Sequence, residues 1–388
     1  MAMNINMTVS QGSSELWAVP CTVMRGGTSK AVFLPEQWVP QDRAQRERFL
    51  LAVMGSPDPR QIDGLGGADL LTTKMAIVGP STRSDADVDY TFAQVAITQA
   101  RVYFDMNCGN ISSAVGVYAV EKGLVPAVEP LTRVRIHNRN TGTVLLTEVP
   151  VAGGHALVEG DWIIDGVPGS GAGIAMDYRL TAGGVSGSLL PTQNRQDTIR
   201  VEGLGKVTVS VVDIANIGFM VRAEDIGIAD CTLPSPPTPE LLARMDLLQR
   251  AVARKLEMPE GRLTPIPVIV APPHDFATVV GGKTVPADQV DLVAEVIGGQ
   301  PLTLHKAFPG TTSVTLAVAA RIPGTVAYHS ARQNGAPTVR IGHPSGRMEV
   351  GARLADAGGT RITIEEASYQ RTARLIMDGI TYVRRSRL

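Results

Sequence analysis

FDMNCGNISSAVGVYAVEKGLV, Phe104 to Val125, sets a cysteine between two asparagines at the point where an apolar helix begins. Ala, Val, Ser and Gly fill about three turns with no charge before Glu121. A helix of that composition is buried on nearly every side. The pattern returns 201 residues later in PGTTSVTLAVAARIPGTV, Pro309 to Val326. Laid under the run from Cys108, it agrees at Gly109/Gly310, Ser112/Ser313, Val117/Val318, Ala119/Ala320, Gly123/Gly324 and Val125/Val326. This echo points to two half-chains of about 190 residues, 1–190 and 191–388, each with strands wrapped around one central helix. The last strand is free to return to the first half. With the halves face to face, two helix N-termini open into one cleft, and their free N–H groups and dipoles favour an anion there.

The rest of the chain agrees with a strand-rich, small-ligand protein. Its 388 residues suffice for two full cores without disulfides or a structural metal. A net charge of −1, from 36 basic and 37 acidic residues, gives no electrostatic reason for a nucleic-acid or membrane partner. Cys21, Cys108 and Cys231 are too scattered for a disulfide framework and suit a reducing compartment, so a cytoplasmic location is expected. The N-terminal residues before Trp17 have no signal-peptide pattern, and no run of about 18 apolar residues occurs. Glycine (40) and proline (26) abound while aromatics make up 4%, a mixture that suits short strands and tight turns.

Strand-like runs near residues 88, 100, 132, 144, 208 and 267, and the long RITIEEASYQRTARLIMDGITYV, are expected to pair antiparallel. Gln41 to Gly55 and Thr238 to Leu256 carry amphipathic helix patterns. The fold class is α+β.

Three segments carry candidate chemistry. Cys108 lies at the N-cap or first turn of the apolar helix, where the dipole favours a thiolate, although a free cysteine is as often a small buried hydrophobe. Asn107 and Asn110 flank it with amide donors. Arg25-Gly26-Gly27-Thr28-Ser29 follows an apolar strand and offers backbone N–H groups, two hydroxyls and a guanidinium to a carboxylate. A plain glycine turn would read the same. Lys74 follows the Gly-rich GSPDPRQIDGLGGADLLTT and opens an apolar run, so burial would lower its pKa and make it a base; the alternative is a solvated strand-edge lysine. Asp63 and Asp69 have no supporting ligand at metal spacing, the six histidines form no cluster, and no metal is expected.

Taken together, MRGGTSK (24–30), GSPDPRQIDGLGGADLLTTK (55–74), NCGNISSAVG (107–116), SLLPT (188–192), HPSG (343–346) and RTARLIMDG (371–379) resemble the PrpF family of methylaconitate isomerases. That family also contains 4-oxalomesaconate tautomerases and methylitaconate Δ-isomerases. The resemblance implies a diaminopimelate-epimerase-like fold of two pseudo-symmetric halves, each a sheet curled around a central helix, with the site between them. It puts the family's lysine on Lys74 and leaves Pro309 where an epimerase would carry a second thiol opposite Cys108. Ala31 and Gln193 stand where the family often has glycine, and the compact 55–64 segment is nearer the oxalomesaconate branch than the methylaconitate branch.

On that resemblance the expected activity is a cofactor-independent 1,3-allylic proton shift within a small unsaturated di- or tricarboxylate. Lys74 and Cys108 form the acid/base pair, in an order left open. N–H groups at Gly109, Asn110 and Ile111, with Gly310, Thr311, Thr312 and Ser313 from the other half, stabilise the dienolate. Arg25, Gly27, Thr28, Ser29 and Asn107 hold the outer carboxylates. Homodimerisation is left open. The alternatives are an amino- or hydroxy-acid epimerase, which wants the second thiol, and a non-catalytic carboxylate-binding protein, which tolerates loss of Lys74.

Overall fold

The computed structural model describes residues 14–228, 237–259, 261–279, 281–299, 301–355 and 362–388. Cys231 lies outside the described residues. The strands of four or more residues in the first half are β1 (Leu16–Gly26), β2 (Ser29–Pro35), β3 (Lys74–Pro80), β4 (Val88–Val95), β5 (Leu131–Asn138), β6 (Thr143–Ala152) and β7 (Ile174–Asp177). Those after them are β8 (Asp197–Val201), β9 (Gly205–Ile214), β10 (Asn216–Arg222), β11 (Ile266–Ala271), β12 (Leu292–Gly298), β13 (Thr338–His343), β14 (Gly346–Ala355), β15 (Thr363–Arg371) and β16 (Ala373–Arg384). Among the described residues five α-helices accompany them: α1 (Arg43–Met54), α2 (Gly109–Glu121), α3 (Pro239–Lys255), α4 (Gly310–Ala319) and the short α5 (Val326–Ser330).

Hydrogen-bonded neighbours run β16-β1-β2-β3-β4-β5-β6-β7 on one side and β8-β9-β10-β11-β12-β13-β14-β15 on the other. Both series follow one order of senses: antiparallel twice, parallel, antiparallel, parallel, antiparallel twice. The repeat heard in the sequence is therefore a repeat of topology, and β7 joins the two series by pairing with β15. The chain's last long strand, β16, lies along β1 from Leu16↔Arg384 to Gly26↔Ala373.

Two expectations are corrected. Four neighbouring pairs are parallel, namely β2/β3, β4/β5, β10/β11 and β12/β13. Each spans a crossover that carries α1, α2, α3 or α4, and a parallel pair needs such a connection. Near residue 100 only Val102–Tyr103 form a strand, because the chain must turn into α2 within a few residues. The long C-terminal run is two strands, β15 and β16, interrupted at Thr372, whose carbonyl accepts from Gly27 N–H and the Arg25 guanidinium.

Every residue of α2 from Gly109 to Val120, and all of α4, is buried. Their side chains share one apolar core that runs through both halves. The outer faces of the sheets are covered by α1 and α3, each over its own apolar cluster. Asp42 caps α1 by accepting from Gln45 N–H at 2.9 Å, and the helix stops at the left-handed Gly55. Thr238 caps α3, with Pro239 at its first position. No helix among the described residues is long and apolar enough to cross a membrane.

The two central helices meet at their N-termini. A Cβ on Gly109 would strike the Tyr369 hydroxyl and come 2.7 Å from Thr311 N; a Cβ on Gly310 would strike the same hydroxyl and sit 2.8 Å from its Cζ. Tyr369 cannot retreat freely, since its ring stacks on Tyr178 with centroids 5.6 Å apart. Gly310→Ala is therefore expected to cost about 1–3 kcal/mol of stability by overpacking, read from a denaturant unfolding curve.

Candidate active site

The convergence of α2 and α4 sets the frame of the site. Cys108 and Pro309 are the N-cap residues of the two helices, both with extended backbone. Within α2 the first amide to find a helical acceptor is Ser112, bonded to the Cys108 carbonyl; in α4 it is Ser313, bonded to the Pro309 carbonyl. The N–H groups of Gly109, Asn110 and Ile111, and of Gly310, Thr311 and Thr312, are thus the unpaired first-turn donors of two facing dipoles. The Cys108 side chain makes no capping hydrogen bond.

Lys74 opens β3 opposite Ala31 of β2 and Gln94 of β4. Alternation along the strands sends it inward with Ala76, Ala31 and Phe33, toward the core around α2. It is 4% exposed, with Nζ 2.6 Å from Gln94 Oε1 and 5.3 Å from the centroid of the Phe92 ring. Burial lowers its pKa from the ordinary 10.5, against the opposing pull of Cys108 and Asp69, which favour the charged amine. The lysine is a buried amine within electrostatic reach of Cys108.

The symmetry of the fold fails here. Asn216 closes the β9/β10 turn where Ser29 closes β1/β2, and Gly218 faces Ile266 as Ala31 faces Lys74. The counterparts of Lys74 and Cys108 are therefore Ile266 and Pro309. Asn216 spends its amide on structural bonds, two of them across to the first half: Oδ1 accepts from Asn107 N–H, and Nδ2 donates to the Asn107 carbonyl and Thr311 Oγ1.

The candidate carboxylate holders divide into two groups. Arg25 donates to the carbonyls of Gly27 and Thr372, and Gly27 N–H is spent on Thr372 as well, so both shape the turn. The Asn107 amide oxygen accepts from Ser112 and Asn138, inside the half. Thr311 is committed to Asn107 and Asn216, and the Ser313 hydroxyl to the Gly310 carbonyl. By contrast, the Ser29 and Thr312 hydroxyls are buried without a hydrogen-bond partner. Such orphans are costly unless something fills them. Thr28 lines a cavity of about 480 Å³ between the halves and receives a bond from Asn110 Nδ2 at 2.9 Å.

That cavity also holds Arg371 and His343, which belong to the RTARLIMDG and HPSG motifs but are not among the candidate site residues expected from the sequence. Arg371, at the end of β15, is 4% exposed; its Nε donates to Asn110 Oδ1 at 3.1 Å and its guanidinium lies 4.5 Å from the centroid of the Tyr369 ring. Among the described residues no carboxylate lies within ion-pair distance of it. His343 lines the same cavity; burial and the nearby Arg371 push its pKa down to about 3, and Nδ1 accepts from Ser345 N–H, so the ring is neutral with its proton on Nε2. On the Lys74 side a second cavity of about 340 Å³ is lined by Gln94, Asp69, Lys306 and His305, whose pKa burial drives down to about 4. Arg371 and His343 lie inside RTAR and HPSG, but a buried arginine lacking an acid is visible only in three dimensions.

The PrpF protein family model matches residues 16–384. The chain belongs to the PrpF family. It is 43% identical to the 3-methylitaconate isomerase of Eubacterium barkeri, over 97% of this chain and 100% of that protein. It is 39% identical to the (4E)-oxalomesaconate Delta-isomerase of Novosphingobium sp. strain KA1, over 94% and 98%. The crystal structure of a methylitaconate Δ-isomerase superposes with a TM-score of 0.78 at 43% identity, covering 96% of this chain and 97% of that one. A hydroxyproline epimerase from Agrobacterium vitis shares the fold alone, with a TM-score of 0.58 at 13% identity, over 95% and 93%. The PrpF chain thus has the epimerase-like architecture. Among its described residues no group of three or more His, Cys, Asp or Glu side chains gathers to hold a metal.

Proposed function

We propose that this chain is an isomerase that moves a carbon–carbon double bond within a small unsaturated di- or tricarboxylate by a 1,3-allylic proton shift. The names of its relatives, isomerases of methylitaconate and oxalomesaconate, support that reaction class. The observation that carries the residue assignment is the broken symmetry of the site. Epimerisation with two opposed thiols needs an acid or base at both helix N-caps, whereas this chain pairs Cys108 and Lys74 with Pro309 and Ile266.

In the reaction, one of Lys74 and Cys108 takes a proton from the saturated carbon beside the double bond. The C–H electron pair becomes the new double bond, and the old π pair moves into the conjugated carboxyl or keto group as a dienolate. Collapse of the dienolate returns a proton at the far carbon, from the other group or from the conjugate acid of the first. N–H groups of the two helix N-termini receive the developing charge without having to reorient. Arg371 takes an outer carboxylate, and Thr28, Ser29 and Thr312 offer it hydroxyls.

The test is proton NMR of the protein in deuterated buffer with 3-methylitaconate, 2-methylaconitate and 4-oxalomesaconate separately. Migration of the double bond in one of them is expected, and names the substrate. Line broadening from binding with no migration in any of the three would overturn the isomerase assignment in favour of carboxylate binding. Deuterium entry at the α-carbon of an amino or hydroxy acid, with inversion, would instead favour an epimerase.

A further inference from the structure

Gln94 is the side chain in hydrogen-bond contact with the Lys74 amine. The two residues face each other across the antiparallel β3/β4 pair, and Gln94 is itself 3% exposed. Its amide is held at both ends: Oε1 accepts from Lys74 Nζ at 2.6 Å, and Nε2 donates to the Thr73 carbonyl at 3.0 Å. The second bond fixes which end faces the lysine, because only the NH₂ end can serve a carbonyl. The Phe92 ring closes another side.

We propose that Gln94 is a positioning residue for the proton transfer, its amide oxygen holding Lys74 Nζ in place with an acceptor that carries no charge. The inference rests on Lys74 being the base of the acid/base pair. A neutral amine bonded to Oε1 through one N–H keeps its lone pair free for a carbon-bound proton. A carboxylate in the same place would hold the amine equally well but favour the ammonium, whose lone pair is spent. The other ionisable groups around Lys74 are Cys108 from the α2 N-cap, Asp69 from the loop before β3, and His305 from the facing half. Of these, Asp69 is engaged by Lys306 at 3.2 Å. The uncharged Gln94 leaves the balance to burial.

The experiment compares Gln94→Glu and Gln94→Met with the native chain, using the carboxylate that turns over in the NMR panel and following kcat and KM against pH. Gln94→Glu is expected to move the acid limb of kcat upward by about 1–3 pH units and to regain most of its turnover above it. Gln94→Met is expected to lose about 10- to 100-fold in kcat at every pH, with KM little changed, because the amine is no longer aimed. An unmoved limb in Gln94→Glu, with native kcat in Gln94→Met, would overturn the proposal. Should Gln94→Met fail to fold, the limb of Gln94→Glu decides alone. Lys74→Met run alongside separates the two claims: if it retains native turnover, Lys74 is not the base; if it is inactive while the Gln94 limb stays put, only the role of Gln94 fails.

Discussion

Lys74→Met and Cys108→Ala are each expected to lose about two to four orders of magnitude in kcat, the usual worth of a positioned acid or base, with KM little changed. Native rates in both would remove them from the mechanism. The pH dependence follows from the environment of Lys74. With Lys74 as the base, burial lowers its pKa, so the neutral amine is present below the ordinary 10.5 and the native rate rises with pH through that lowered value. The same shift has a thermodynamic counterpart. A depressed lysine pKa means the unfolded chain binds more protons, so the native fold loses stability as pH falls from 10.5 toward the lowered value. Methionine fills much the same space without that liability. Lys74→Met should therefore unfold at neutral pH no earlier than the native protein in a thermal melt, so its inactivity cannot be blamed on misfolding.

Arg371→Met is expected to lower kcat/KM by about two orders of magnitude, mostly through KM. The guanidinium stays charged although burial disfavours it, and its polar partners here are the Asn110 amide oxygen and the Gln370 carbonyl, with Met348 Sδ at 3.8 Å. A substrate carboxylate would supply the missing counter-charge, and removing one partner of a buried, hydrogen-bonded charge pair typically costs about 2–5 kcal/mol. Arg371→Lys keeps the charge but loses the planar fork that grips a carboxylate, so it should recover only part of the loss. Steady-state kinetics on the two variants, with the ratio of their KM values, is the check. A native KM in Arg371→Met would assign the arginine to the Tyr369–Asn110 packing alone.

Much of this architecture was legible before any coordinates. The charge-free runs after Cys108 and Pro309 identify the central helices because a helix without a polar face has to be enclosed. Their constant offset pairs the halves, and the amphipathic patterns of Gln41 to Gly55 and Thr238 to Leu256 announce α1 and α3. Strand sense was not legible, since parallel and antiparallel neighbours share one alternation of residues and differ only in what connects them. The candidate site residues differ in how they show themselves in the sequence. Lys74 and Cys108 stand out because each is an ionisable residue at the edge of an apolar run. Arg25 and Asn107 have the same chemistry as a ligand-binding residue, yet their hydrogen bonds go to the turn and to the first half's interior. Arg371 went the other way: an arginine near the end of a strand looks ordinary until no acid is found beside it.

The pairing of β16 with β1 has a consequence for how the chain is made. The strand that covers the β1 edge leaves the ribosome about 350 residues after its partner. Until then the first half must wait with one flank of backbone donors and acceptors open, a state that invites pairing with another nascent chain. Contacts of such long sequence separation also slow the search for the native state. The first half emerges early but can be finished only after the second half has been made, which makes residues 373–384 the clasp that completes its sheet.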